Sequence, residues 1–129
     1  MAQINGFRDL KVYQQAVEEA RTIFELTFAF PKDEAYSLTD QMRRSSRAVG
    51  AILAEAWARR RYRAAFVNKI NQAQAEAMET QVWLEHAKNC GYLPDDAFHK
   101  MDRRWQQIGG MLERMIQRAD AFCRVDELQ

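Results

Sequence analysis

Helix-breaking residues are scarce in this chain, and that scarcity limits its fold more than any other feature. Its 129 residues include two Pro and five Gly. Strong punctuation falls only at Phe30-Pro31-Lys32-Asp33 and Gly91-Tyr92-Leu93-Pro94-Asp95, with a weaker disturbance in the arginine run from Arg59 to Arg63. The four stretches left between these cuts carry apolar residues at spacings of three and four, the period of an amphipathic helix, and none shows the alternation of a strand.

In the first stretch Leu10, Tyr13, Val17, Ala20, Phe24 and Thr27 form the stripe, Ala16 and Ile23 widen it, and Asp9 is placed to cap the start. The second opens at Ser37-Leu38-Thr39-Asp40, which resembles a capping box with Asp in the last place. It continues through Met42, Ser45, Val49, Ile52, Leu53 and Ala56, with Gly50 inside it. The third lays Phe66, Ile70, Ala73, Ala77, Thr80, Leu84 and Ala87 on one face and ends at Gly91, the natural residue for a left-handed terminus. Small Ala73 and Ala77 let a neighbouring helix come close. Pro94-Asp95-Asp96 suits a first helical turn for the fourth, which runs through Phe98, Met101, Trp105, Ile108, Leu112, Met115, Ala119 and Phe122. Gly109-Gly110 at its centre implies close packing or a bend. Helices over roughly residues 10–29, 38–60, 63–90 and 95–123 joined by short links must be antiparallel neighbours. The expected fold is all-α, a single domain over residues 1–129 folded as an up-down-up-down four-helix bundle.

A chain with 47% hydrophobic and 29% charged residues has the composition of one globular domain, neither disordered nor collagen-like. No apolar run approaches the ~18 residues of a membrane span, and the first ten residues lack the apolar core of a secretory signal. A cytoplasmic protein with no membrane partner is expected. Cys90 and Cys123 are too few and too far apart for a disulfide framework, a redox pair or a zinc site, and read as reduced thiols.

Known bundle chemistry finds little support. A di-iron site needs Glu-x-x-His pairs on facing helices, and the sequence has none. His86 and His99 flank the third link and read as solvated imidazoles. Ser37, Ser45 and Ser46 lie in helix caps or helix faces, away from any strand-to-helix elbow, and Gly-rich phosphate loops are absent. No enzyme, cofactor or metal site is expected.

Charge is where the sequence is most informative. Lys and Arg number 19 against 18 Asp and Glu, yet the near-neutral total conceals segregation. Residues 1–40 carry a net −3, residues 41–70 a net +7, residues 71–102 a net −4 and the remainder a net +1. Arg43, Arg44 and Arg47 decorate the second helix, and Arg59, Arg60, Arg61 and Arg63 surround Tyr62 at the corner into the third. The planar guanidinium suits phosphate and stacks on bases or on tyrosine. Those arginines either meet a nucleic acid or pair with acidic faces of neighbouring subunits, through Glu18, Glu19, Glu76 or Glu79. Glu55, alone among small apolar residues, needs a cation: Arg59 one turn on, or an arginine of the fourth helix fixing register. Trp105 lies on the fourth stripe and reads as core. Trp57 and Trp83 fall just off their stripes, at a helix edge or subunit interface. Val12, Phe28, Val67, Val82 and Met111 add apolar surface beyond one stripe per helix, which points to oligomerisation.

Several segments together resemble a known family. They are Phe7-Arg8-Asp9-Leu10-Lys11-Val12-Tyr13-Gln14, Phe30-Pro31 with Glu34 and Leu38, Gln41-Met42-Arg43-Arg44, Ala54-Glu55-Ala56-Trp57, Arg60-Arg61-Tyr62, Ala75-Glu76 with Glu79-Thr80 and Trp83-Leu84, and Gly91-Tyr92-Leu93. Across nearly its whole length the chain is similar to the bacterial 23S rRNA intervening-sequence proteins. It departs from their pattern at Ala48-Val49-Gly50-Ala51-Ile52-Leu53, where relatives carry Ser and Asn. The resemblance implies an antiparallel four-helix bundle. It extends to accessory proteins of diversity-generating retroelements, which form homopentamers, bind nucleic acid and partner a reverse transcriptase. The function expected is therefore a noncatalytic, homopentameric nucleic-acid-binding protein favouring structured RNA, with rRNA or retroelement RNA or DNA as ligand. The alternative is a protein-interaction scaffold with no nucleic-acid ligand.

Overall fold

The computed structural model describes residues 3–123. Four long helices, α1 (Lys11–Thr27), α2 (Leu38–Ala58), α3 (Arg63–Asn89) and α4 (Asp95–Gln117), are followed by a single turn, α5 (Ala119–Phe122). Short 3-10 turns at Phe7–Asp9 and Lys32–Glu34 lead into α1 and α2, and no strand occurs among the described residues.

The link between α2 and α3 holds only residues 59–62, a reach of ~14 Å against the ~32 Å length of α2, so the chain must turn back. Pairs across each seam show the same reversal. Arg44 meets Glu76 while Glu55 meets Lys69; Gln81 meets Asp102 while Gln74 meets Glu113; Thr27 meets Arg43 while Tyr13 lies by Gly50. Helices α1 and α4 close the ring. This is the up-down-up-down bundle that the short links imply.

One continuous core threads all four helices. The stripes read for α2, α3 and α4 are buried as expected, apart from Ile52 and Phe122, which are partly exposed. Helix α1 differs. Its inward face is Val12, Ala16, Glu19, Ala20, Ile23 and Thr27, so Tyr13 and Phe24 lie at the edge and Val17 points outward. The predicted stripe is rotated because α1 carries apolar residues on two adjoining faces, and contact with α4 as well as α2 selects the other one. Val12, expected on the outer surface, is therefore core, whereas Phe28 and Val82 are exposed.

The caps also redistribute. Asp9 does not cap α1; its Oδ2 accepts the backbone N–H groups of Asn5 at 2.8 Å and Gly6 at 3.2 Å, closing the preceding turn. At α2 the expected Ser37–Asp40 box is replaced by Glu34. Its Oε1 accepts the Ser37 hydroxyl at 2.6 Å and the Leu38 N–H at 3.4 Å, and its Oε2 accepts the Tyr92 hydroxyl at 2.9 Å. One carboxylate thus ties the first link to the third. Gly91 has φ +79°, and Tyr92 N–H reaches back to Ala87 O at 2.9 Å, so α3 ends as the sequence indicates. The fourth run is interrupted by a turn at Arg118 before α5 resumes it. Helix α4 runs without interruption through Gly109 and Gly110, and close packing does not account for them: a Cβ at Gly109 would meet nothing within 4 Å, and one at Gly110 only the Arg114 side chain of the same helix.

Candidate nucleic-acid interface

The seven arginines singled out by sequence do not form one surface. Successive residues on a helix point about 100° apart, so α2 distributes Arg43, Arg44 and Arg47 to two sides. Arg43 donates Nε–H to Thr27 Oγ1 at 2.8 Å and lies 4.6 Å from the Phe24 ring centre and 5.2 Å from that of Phe28. Arg47 lies 5.1 Å from the same Phe24 ring. These two lean onto α1. Arg44 faces α3, where it donates to Glu76 Oε1 at 3.3 Å and to Glu79 Oε1. Glu76 and Glu79, for which the sequence leaves open a neighbouring basic helix, a neighbouring subunit or water, are thus engaged by an arginine of the adjacent helix of their own chain, and Glu79 also accepts the Trp83 indole N–H at 3.1 Å.

The α2–α3 corner holds the second group. Arg60 donates to Trp57 O at 2.9 Å, and its guanidinium sits 3.7 Å over the Trp57 ring. Arg59 and Arg61 are exposed on either side, and Tyr62 is 64% exposed. Arg59, Arg60 and Arg61 form no ion pair with any described residue. Arg63 points back to α5 and pairs with Asp120 at 2.6 Å. Seventeen residues of helix and corner separate Arg43 from Arg60, about 25 Å at 1.5 Å per residue, so the two groups occupy different levels of the bundle. Glu55 uses neither Arg59 nor an arginine of α4; Lys69, in the first turns of α3, reaches its Oε1 at 2.8 Å. Trp57 and Trp83 are partly buried at helix edges, and Trp105 is fully buried.

Antiparallel packing adds residues that the sequence did not flag. The start of α1 and the end of α4 return to the same end as the corner, bringing Lys11, Arg114 and Arg118 around a groove of about 700 Å³. The opposite end gathers Asp33, Glu34, Asp40, Asp95 and Asp96 from the other links and helix starts. The charge that alternates in blocks along the chain is thereby partly regrouped by end: the corner end gathers cations, whereas the opposite end combines these acids with Lys32 and Lys88, and Arg43, Arg44 and Arg47 stand on its half of α2.

No group of three or more His, Cys, Asp or Glu among the described residues is arranged to hold a metal, and His86 and His99 are exposed. No described helix is long and apolar enough to cross a membrane. One buried acid was missed by sequence. Glu19, 6% exposed, lies in the α1–α4 seam 3.8 Å from Arg104, and neither its Oε1 nor the Trp105 Nε1–H has a hydrogen-bond partner among the described residues. Burial raises its pKa, only partly offset by Arg104, and Glu18 adds to the rise.

These features define a small antiparallel helical-bundle protein with a basic end and no metal cluster among its described residues. The chain belongs to the 23S rRNA-intervening sequence protein family, which it matches over residues 8–114. Among solved structures it is similar to a protein of unknown function from the S23 ribosomal protein family of Bacteroides thetaiotaomicron. That likeness has a TM-score of 0.73 at 28% identity, covering 82% of this chain and 95% of the other. No curated protein sequence matches it significantly.

Proposed function

We propose that the protein is a noncatalytic, homo-oligomeric nucleic-acid-binding protein of the cytoplasm, favouring structured RNA, and that the basic end contacts phosphates. The observation that carries this reading is the α2–α3 corner: Arg59, Arg60 and Arg61 beside exposed Tyr62, with no carboxylate among the described residues engaging them. Arg114, Arg118 and Lys11 add cations to the same end of the bundle, around the groove between α1 and α4. Guanidinium groups neutralise phosphates and tyrosine stacks on unpaired bases, a pairing suited to folded RNA with exposed loops. Five copies is the ring size that the family resemblance implies, and symmetry would multiply a modest patch into avid binding.

Labelled fragments of 23S rRNA titrated with the protein provide the test. Binding at about 50 mM salt, with log K falling linearly on log salt, is the expected result. No binding at low salt, or binding without a salt slope, overturns the reading. Exposed Phe28 and Tyr36 favour a second reading, a protein-interaction scaffold. It prevails if the protein self-associates yet fails the RNA titration.

A further inference from the structure

Among the described cations that lie over aromatic rings, Arg60 is the closest. Its guanidinium carbon stands 3.7 Å from the centre of the Trp57 ring, whereas the others stand 4.6 Å or more from theirs. Planar groups in van der Waals contact are about 3.5–4.0 Å apart. A guanidinium on edge would place a nitrogen between its carbon and the ring and so hold the carbon further out. Arg60 therefore lies flat on the indole. A second contact fixes it there, since Nε donates to Trp57 O at 2.9 Å. Trp57 in turn packs against the core, so the stack is anchored in the bundle.

The chain leaves the other face of this plane without a partner. No second ring stacks on it among the described residues, no described carboxylate pairs with it, and its Nη groups bond to no described residue. Arg60 remains partly exposed, with exposed Arg59 and Arg61 on either side. Tyr62, 64% exposed, offers another flat face two residues on, within about 7 Å of backbone. Phosphate is taken through the N–H edge of a guanidinium, so lying flat adds nothing to a contact with phosphate alone. It presents the one surface that suits a second flat group.

We infer that Arg60, held on Trp57, is a stacking platform for an unpaired nucleobase, so that the corner recognises a loop or bulge of an RNA rather than the backbone of a duplex. The inference rests on the RNA-binding reading above and names the part of the RNA that the corner takes. Indole, guanidinium and base form three layers, Tyr62 receives a further base, and Arg59 and Arg61 meet the phosphates beside them. Bases within a duplex are excluded because their neighbours already cover both faces. The Trp57 ring and carbonyl hold the fork in place beforehand, which lowers the cost of ordering it on binding.

Two RNAs with the same number of nucleotides test it, a hairpin with a large unstructured loop and a blunt duplex. A surface that reads phosphates alone favours the duplex, whose charge density is higher. Wild-type protein should instead bind the hairpin at least ~10-fold more tightly. Arg60→Lys keeps the charge and loses the plane. It should weaken hairpin binding by about 5-fold or more while leaving duplex affinity and both salt slopes unchanged. Tyr62→Ala should act in the same direction, and both variants should keep the wild-type circular dichroism spectrum. A duplex bound as tightly as the hairpin, or an Arg60→Lys variant that matches the wild type on the hairpin or weakens both RNAs equally, overturns the inference. Salt-dependent affinity for either RNA would still leave the RNA-binding reading standing. Absence of binding to both overturns the two together.

Discussion

At the scale of single residues, two carboxylates show how environment sets opposite responses to pH. Glu19 follows Glu18, and both read as part of an outer acidic face open to a neighbouring subunit's arginines as long as the α1 stripe is drawn through Tyr13, Val17 and Phe24. Drawn through Val12, Ala16, Ile23 and Thr27, the stripe includes position 19, and the carboxylate falls inside. The signal was in the spacing, but two apolar faces competed for it. Glu19 holds its proton more tightly when folded than unfolded. Its contribution therefore turns unfavourable as pH rises from the ordinary carboxyl value through its raised folded value, and the penalty is complete above that. Glu34 behaves oppositely. Hydrogen bonds from Ser37, Tyr92 and the Leu38 N–H lower its pKa, so the stability it supplies is present above the ordinary carboxyl value and is lost as pH falls through the lowered one. Thermal melts of Glu19→Gln should show a higher Tm than the wild type at pH ~7, with the gain disappearing below pH ~3.5, where both states are protonated. An unchanged Tm at neutral pH would mean that Glu19 is solvated in the folded protein.

At the scale of elements, the α2–α3 seam was the most legible part of the molecule, and the reason is physical. Phe66, Ile70, Ala73, Ala77, Thr80, Leu84 and Ala87 form the one run of three-four spacings that spans the helix, because the outer row of Val67, Ala75, Met78 and Val82 is broken by Asn71. Helix α1 lacked that uniqueness. Cap chemistry was less readable for another reason: Glu34 and Asp9 act from turns whose shapes depend on the packed neighbours, and short side chains near a helix start have several backbone donors in reach. Within the α2–α3 seam, Thr80 and Ser45 form a buried polar pair 2.8 Å apart, and Thr80 donates its hydroxyl to Glu76 O at 2.9 Å. Ser45 must therefore be the donor to Thr80. Thr80→Val leaves the Ser45 hydroxyl buried without its acceptor and should cost about 1–3 kcal/mol in urea unfolding. Ser45→Ala leaves Thr80 bonded to the backbone and should cost less. The double variant should lose less than the sum, by about 1 kcal/mol, and strictly additive losses would show that the hydroxyls are not coupled.

At the scale of the whole molecule, the sequence disclosed that charge is segregated but not where it goes. Blocks of −3, +7, −4 and +1 are a property of chain order; an antiparallel bundle regroups them by its two ends. Arginines equivalent in the sequence thereby acquire different work. Arg44 and Arg63 are occupied, the first by Glu76 and Glu79 and the second by Asp120. Arg60 and Arg61, at the corner, have no such partner among the described residues. That division yields a prediction in which stability and binding separate. Arg44→Ala and Arg63→Ala remove partly exposed ion pairs, so each should cost about 1 kcal/mol or less of stability and leave the salt slope of RNA binding unchanged. Arg60→Glu with Arg61→Glu takes two cations away from the phosphates. RNA affinity should fall at least ~10-fold and the salt slope by about one unit for each phosphate no longer neutralised, with stability within about 1 kcal/mol of wild type. Filter-binding titrations at several salt concentrations, run beside urea unfolding for each variant, read both quantities. An equal drop in affinity for all the variants would show that RNA responds to overall charge rather than to the basic end. A salt slope altered by Arg44→Ala alone would move the binding surface from the corner to the α2–α3 face.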